Sequence, residues 1–95
     1  MTSWYVYILA SKKHWTIYIW LTSNLEKRMY EHKNKVIVWF TSKYNVTQLV
    51  YYCEFPTVQD AIHYEKKLKW WKRSKKIELI EENNPNWEDM DPSVV

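Results

Sequence analysis

Glycine is missing altogether from this 95-residue chain, where an average composition would carry about 7%. Turns that need φ > 0 must therefore be made by residues that tolerate it less well. Cysteine occurs once, as Cys53, which excludes a disulfide scaffold, and no Cys/His pair has zinc-site spacing. No uncharged run approaches the roughly 20 residues of a membrane span. The opening Met1-Thr2-Ser3-Trp4-Tyr5 lacks the basic region and cleavage site of a secretory signal. The expectation is a cytoplasmic globular domain with no membrane partner. Apolar residues at 46% and charged residues at 26% suit a packed core and argue against disorder. The length allows one domain, near the small end of what a single core sustains.

What is present is unevenly placed. All fourteen Lys and Arg lie between Lys12 and Lys43 or between Lys66 and Lys76. Against five acids, residues 1–76 carry a net charge of +9; residues 77–95 hold six acids and no base. A basic body of this size is a footprint for a polyanion, although two helices with solvated lysine faces would produce it too. Interleaved aromatics (Tyr30, Phe40, Tyr44, Tyr64, Trp70 and Trp71) favour nucleic acid, since bases stack on such rings.

Trp4 to Leu9 and Thr16 to Leu21 are β-rich and read as a hairpin turning through Ser11-Lys12-Lys13-His14. Ser23-Asn24-Leu25-Glu26 matches a capping box with Ser23 as N-cap, which predicts a helix to about Lys33. Residues 34–47 show no period and are expected to be loop. Leu49 to Phe55 reads as a third strand. Thr57-Val58-Gln59-Asp60 opens a helix to about Trp71, and a shorter one follows over Ser74 to Glu82. The order ββαβαα predicts an α+β domain, a small three-stranded antiparallel sheet flanked by helices. That domain should occupy residues 1–82, with 83–95 as an acidic tail docked through Trp87.

Three groups of side chains stand out. On the long helix Val58, Ala61, Ile62 and Leu68 form an apolar stripe, and Glu65 falls on it. An acid turned toward a core needs a counter-charge; an ion pair to Arg28 or a lysine and a metal ion both satisfy it. Strand alternation sets Tyr5, Tyr7 and Leu9 on one face, and Tyr18 with Trp20 on one face of the next strand. If those faces coincide, three phenols converge. Arg28 and His32 are one helical turn apart and reach the same point. His14 and His63 read as surface residues, and Cys53 as a small buried hydrophobe.

Tyr5-Val6-Tyr7, Tyr18-Ile19-Trp20 and the run Asn24 to Lys33 resemble the GIY-YIG nuclease domain. The likeness is greatest to its small stand-alone bacterial members, relatives of the N-terminal nuclease domain of bacterial excinuclease. It continues through Phe40-Thr41-Ser42-Lys43-Tyr44, Leu49 to Tyr52, Ala61 to Lys69, Trp71-Lys72-Arg73 and Asn84 to Trp87. The resemblance implies cleavage of DNA phosphodiesters with Mg²⁺ or Mn²⁺. It implies Tyr18 as the residue that helps deprotonate the attacking water, with Tyr7 beside it. Arg28 would stabilise phosphate charge, His32 would support it, and Glu65 would be the metal-ligating carboxylate. Lys33, Lys35, Lys43, Lys69, Lys72 and Arg73 are the expected DNA contacts. Tyrosine titrates near pH ~10 in water, so a phenolate base needs positive charge close by. Target choice would fall to a protein partner or be low, and the oligomeric state stays open.

The family's name records two glycines, and this chain has neither. Trp15, Trp20, Trp39 and Trp70 stand where glycine is expected from the resemblance, whereas Trp4, Trp71 and Trp87 stand where tryptophan occurs. UGA codons translated as tryptophan, in a source whose own code reads them as glycine, would produce this pattern. With an indole at position 20 crowding the phosphate site, the alternative is a catalytically impaired nucleic-acid-binding module of the same fold.

Overall fold

The computed structural model describes residues 3–12, 16–34 and 46–91. The far half of the first turn, including His14 and Trp15, and the segment holding Lys35, Trp39, Phe40, Lys43 and Tyr44 lie outside the described residues. The elements are β1 (Trp4–Ala10), β2 (Ile17–Thr22), α1 (Leu25–Lys33), β3 (Gln48–Phe55), α2 (Val58–Trp70) and α3 (Arg73–Asn83). This is the ββαβαα order, an α+β fold with one antiparallel sheet of strand order β2-β1-β3.

β1 is apolar on both faces because it is the middle strand, with helices packed on either side. Val6 to Ala10 are fully buried. The register pairs Tyr7 with Trp20 and Leu9 with Tyr18, and Tyr7 with Tyr52 on the other flank. One face gathers Tyr7, Leu9 and Leu49 against Leu25 and Met29 of α1, with Tyr5 and Tyr18 at its margin. The opposite face packs Val6, Ile8, Ala10 and Ile19 against Ala61, Leu68, Ile80 and Trp87. A register shift between Ile8 and Leu9 interrupts the β1–β3 ladder. The Tyr51 and Tyr64 hydroxyls, 2.9 Å apart, tie α2 to β3.

Two sequence expectations are corrected. The cap of α1 is Asn24, whose Oδ1 accepts from Lys27 N at 3.0 Å, not Ser23, which is exposed one residue earlier. The capping box fails with it: three residues beyond Asn24 stands Lys27, which has no carboxylate to return. The second correction concerns α2, where Ile62 is 38% exposed. The buried seam is narrower and runs through Ala61, Glu65 and Leu68. Cys53 is half-buried. Thr57 caps α2 by accepting from Asp60 N at 3.3 Å.

Beyond α3 the chain turns back across β3. Met90 N donates to Leu49 O at 2.7 Å, Leu49 N to Asp89 Oδ1 at 3.2 Å, and Asn84 Nδ2 to Val50 O at 3.1 Å. Trp87 takes φ 54°, a left-handed conformation that glycine would adopt more readily. Its burial offsets that cost: it is 3% exposed, and its Nε1 donates to Glu81 Oε2 at 2.9 Å.

Candidate functional site

The α1 face of the hairpin carries the phenols. Tyr7 is fully buried, and its Oη shares a hydrogen bond of 3.1 Å with His32 Nε2. The Tyr18 ring meets the His32 ring edge-on at 5.8 Å, so the imidazole touches both tyrosines. Helical spacing on α1 places Arg28 one turn before His32. Burial, reinforced by the Arg28 charge, lowers the His32 pKa from 6.5 to about 4, so the imidazole is neutral at pH 7. Burial raises Tyr7 well above the ordinary phenol range, with Tyr18 adding to the shift and Arg28 opposing it. Burial likewise raises Tyr18, against Arg28 and with help from Glu65. The Arg28 charge thus reaches Tyr7, Tyr18 and His32, while that of Glu65 reaches Tyr18.

Glu65 arrives from the opposite layer. β2 is an edge strand, and α2 passes along it: Lys69 Nζ lies over the Trp20 ring at 3.9 Å. Glu65 is 7% exposed, and its Oε2 is 3.2 Å from Lys69 Nζ. The acid on the apolar stripe thus holds a lysine. Arg28 pairs with Glu31, Nε to Oε1 at 3.7 Å. Glu31 is absent from the residues singled out in the sequence; its i, i+3 spacing from Arg28 is the signal that would have found it.

Two depressions flank this group. One, of about 400 Å³, is bounded by Ile17, Tyr18, Trp20, Lys69, Arg73 and Lys76. The other, of about 420 Å³, is lined by residues including Asn24, Lys27, Arg28 and Glu31. Of the expected DNA contacts, Lys69 and Arg73 border the first depression, and Lys72 is exposed just before α3. Lys33 points elsewhere. Its Nζ pairs with Asp91 at 3.0 Å and with Asp89. Burial would lower the Lys33 pKa, but the two carboxylates outweigh it and raise it. Lys35 and Lys43 lie outside the described residues. Lys76 is a cleft cation that no sequence pattern marks.

Among the described residues no group of three or more His, Cys, Asp or Glu side chains is assembled to hold a metal ion. A site with one protein carboxylate, completed by water and phosphate oxygens, is nonetheless ordinary for Mg²⁺. Glu65 fits that requirement: it is buried, and the cation it pairs with sits on a long, partly exposed side chain.

Comparison with known proteins matches residues 3–78 to the GIY-YIG catalytic domain. The chain belongs to the GIY-YIG family. It is similar to a UPF0213 protein of Staphylococcus saprophyticus, 33% identical over 82 residues, covering 86% of this chain and 99% of that one. A UPF0213 protein of Clostridium perfringens is 36% identical over 76 residues, covering 80% and 81%. The solution NMR structure of a UPF0213 protein from Bacillus halodurans superposes with a TM-score of 0.58 at 26% identity, covering 92% of each chain. The small stand-alone type expected from the sequence is therefore the type these GIY-YIG relatives represent. No helix among the described residues is long and apolar enough to cross a membrane.

Proposed function

We propose that this GIY-YIG domain is a divalent-metal-dependent endonuclease that hydrolyses DNA phosphodiester bonds in the cytoplasm. What supports the proposal is that Tyr18, on the edge strand, feels both the Arg28 charge from α1 and the charge of the buried Glu65 from α2. Arg28 binds the non-bridging oxygens of the scissile phosphate and stabilises the charge that develops there. Tyr18 Oη orients the attacking water and accepts its proton once its own proton has passed to solvent; Arg28 acts to favour that phenolate, while burial and Glu65 oppose it. Tyr7 stays protonated, and through His32 it keeps the Tyr18 ring in place. Glu65 would hold Mg²⁺ or Mn²⁺, and the ion would supply positive charge at the phosphate and offset the carboxylate's effect on Tyr18. Lys69, Lys72 and Arg73 contact the DNA backbone. Target choice comes from a protein partner or is low.

A second reading is a DNA-binding module with impaired catalysis. It is favoured by the indole of Trp20 stacked against Tyr18, with ring centroids 6.4 Å apart. Plasmid nicking with Mg²⁺ separates the two. Cleavage by the parent chain and none by Glu65→Ala is the expected result. Salt-sensitive binding without cleavage by either chain would refute the nuclease proposal in favour of the binder.

A further inference from the structure

Positive charge on the α2–α3 side of the site is organised around Lys69. Its Nζ is shared between Glu65 Oε2 at 3.2 Å and the Trp20 ring at 3.9 Å. The side chain is 40% exposed, so it has room to swing out. Lys69 also borders the cleft of about 400 Å³ that Tyr18 shares with Arg73 and Lys76. Lys76 Nζ donates to the Lys69 carbonyl at 3.2 Å, which ties a second ammonium to the C-terminal turn of α2 on the border of the same cleft. The first turn of α3 contains no acid, and the helix has no side-chain cap. Arg73 and Lys76 therefore stand at the positive end of a helix dipole, an unfavourable placement that an anion relieves.

The buried Glu65 carboxylate needs a cation, and without DNA Lys69 supplies one. A phosphate diester in the cleft offers the same ammonium a second anion, alongside Arg73 and Lys76. We infer that the cleft binds a DNA backbone phosphate neighbouring the scissile one, and that this phosphate draws Lys69 off Glu65. DNA and the divalent ion then bind cooperatively, with Lys69 as the positioning residue that couples them. The inference rests on the proposed role of Glu65 as metal ligand. Ion and Lys69 compete for one carboxylate, and the nucleic acid resolves the competition. Linkage requires the coupling to be equal in both directions.

The test measures binding alone. Mn²⁺ affinity is read from the free-ion paramagnetic resonance signal for the parent chain, Lys69→Gln and Glu65→Gln without DNA. Lys69→Gln is expected to bind Mn²⁺ roughly tenfold more tightly than the parent, within the usual range of coupling between sites. Fluorescence anisotropy with a phosphorothioate duplex, in Mn²⁺ and in EDTA at matched ionic strength, reads the coupling from the DNA side. The metal should strengthen DNA binding by the parent and do so much less for Lys69→Gln, while Lys69→Arg restores the parental ratio. Equal Mn²⁺ affinity in the parent and Lys69→Gln, with loss in Glu65→Gln, would overturn the Lys69 role and leave the metal site standing. Mn²⁺ binding that survives Glu65→Gln would remove the metal site itself, and the Lys69 role with it.

Discussion

The neutral imidazole of His32 has a measurable consequence for stability. The ring is 1% exposed, and burial together with Arg28 takes its pKa from 6.5 to about 4. Between those values the unfolded chain binds a proton at position 32 that the folded protein excludes. Stability from this site is therefore complete above about pH 6.5 and falls as the pH drops toward 4. At 1.36 kcal/mol per pKa unit the loss amounts to about 3 kcal/mol, a large part of what a small domain has. Carboxylates titrate in the same range, so the parent must be compared with His32→Gln, which keeps a polar group toward Tyr7 but takes up no proton. Urea unfolding of both chains from pH 7.5 to 4 reads the difference, which should widen in favour of the variant as the pH falls. NMR titration of the imidazole checks the cause directly. A ring titrating near 6.5, or parallel stability curves, would refute the account of a buried neutral imidazole.

Two further predictions concern the tail and the tryptophans. Lys33→Met leaves Asp89 and the buried Asp91 without their ammonium. It should cost about 1–3 kcal/mol in urea unfolding, given that Lys33 is partly exposed, and Asp91→Asn in the same chain should recover part of that loss. Trp20 and Trp70 are 42% and 88% exposed, whereas Trp4, Trp71 and Trp87 pack on the core; of the expected glycine positions, the two among the described residues thus carry indoles that lie outside the core. The gene should carry TGA at positions 15, 20, 39 and 70, and protein from its native source should be lighter by four tryptophan-to-glycine differences. TGG codons there would refute the recoding.

The architecture is legible wherever one periodicity rules. β1 and β2 follow from their β-branched and aromatic content, and α2 from its stripe. Glu65 stands out for breaking that stripe, yet its partner does not, because a lysine four residues on is common on any exposed helix face. Asn24 and Ser23 are both good caps, and only the position of the first helical turn decides between them. Ile62 departs from expectation because α2 meets the sheet along a narrow seam beside an edge strand. The Lys33–Asp89 contact spans 56 residues, and no local pattern encodes such a pairing. The convergence of Tyr7 and Tyr18 is readable only as a condition on register, and the pairing of Tyr7 with Trp20 and Leu9 with Tyr18 satisfies it.

The returning C-terminal segment also has a protective role. A three-stranded sheet has two outer flanks, each a row of amides and carbonyls ready to recruit a strand from another molecule. Along β3 that row is taken up by Asn84, Asp89 and Met90, which occupy groups of Leu49 and Val50. A chain cut short after α3 would expose that flank, and its failure would show as self-association before it showed as loss of chemistry.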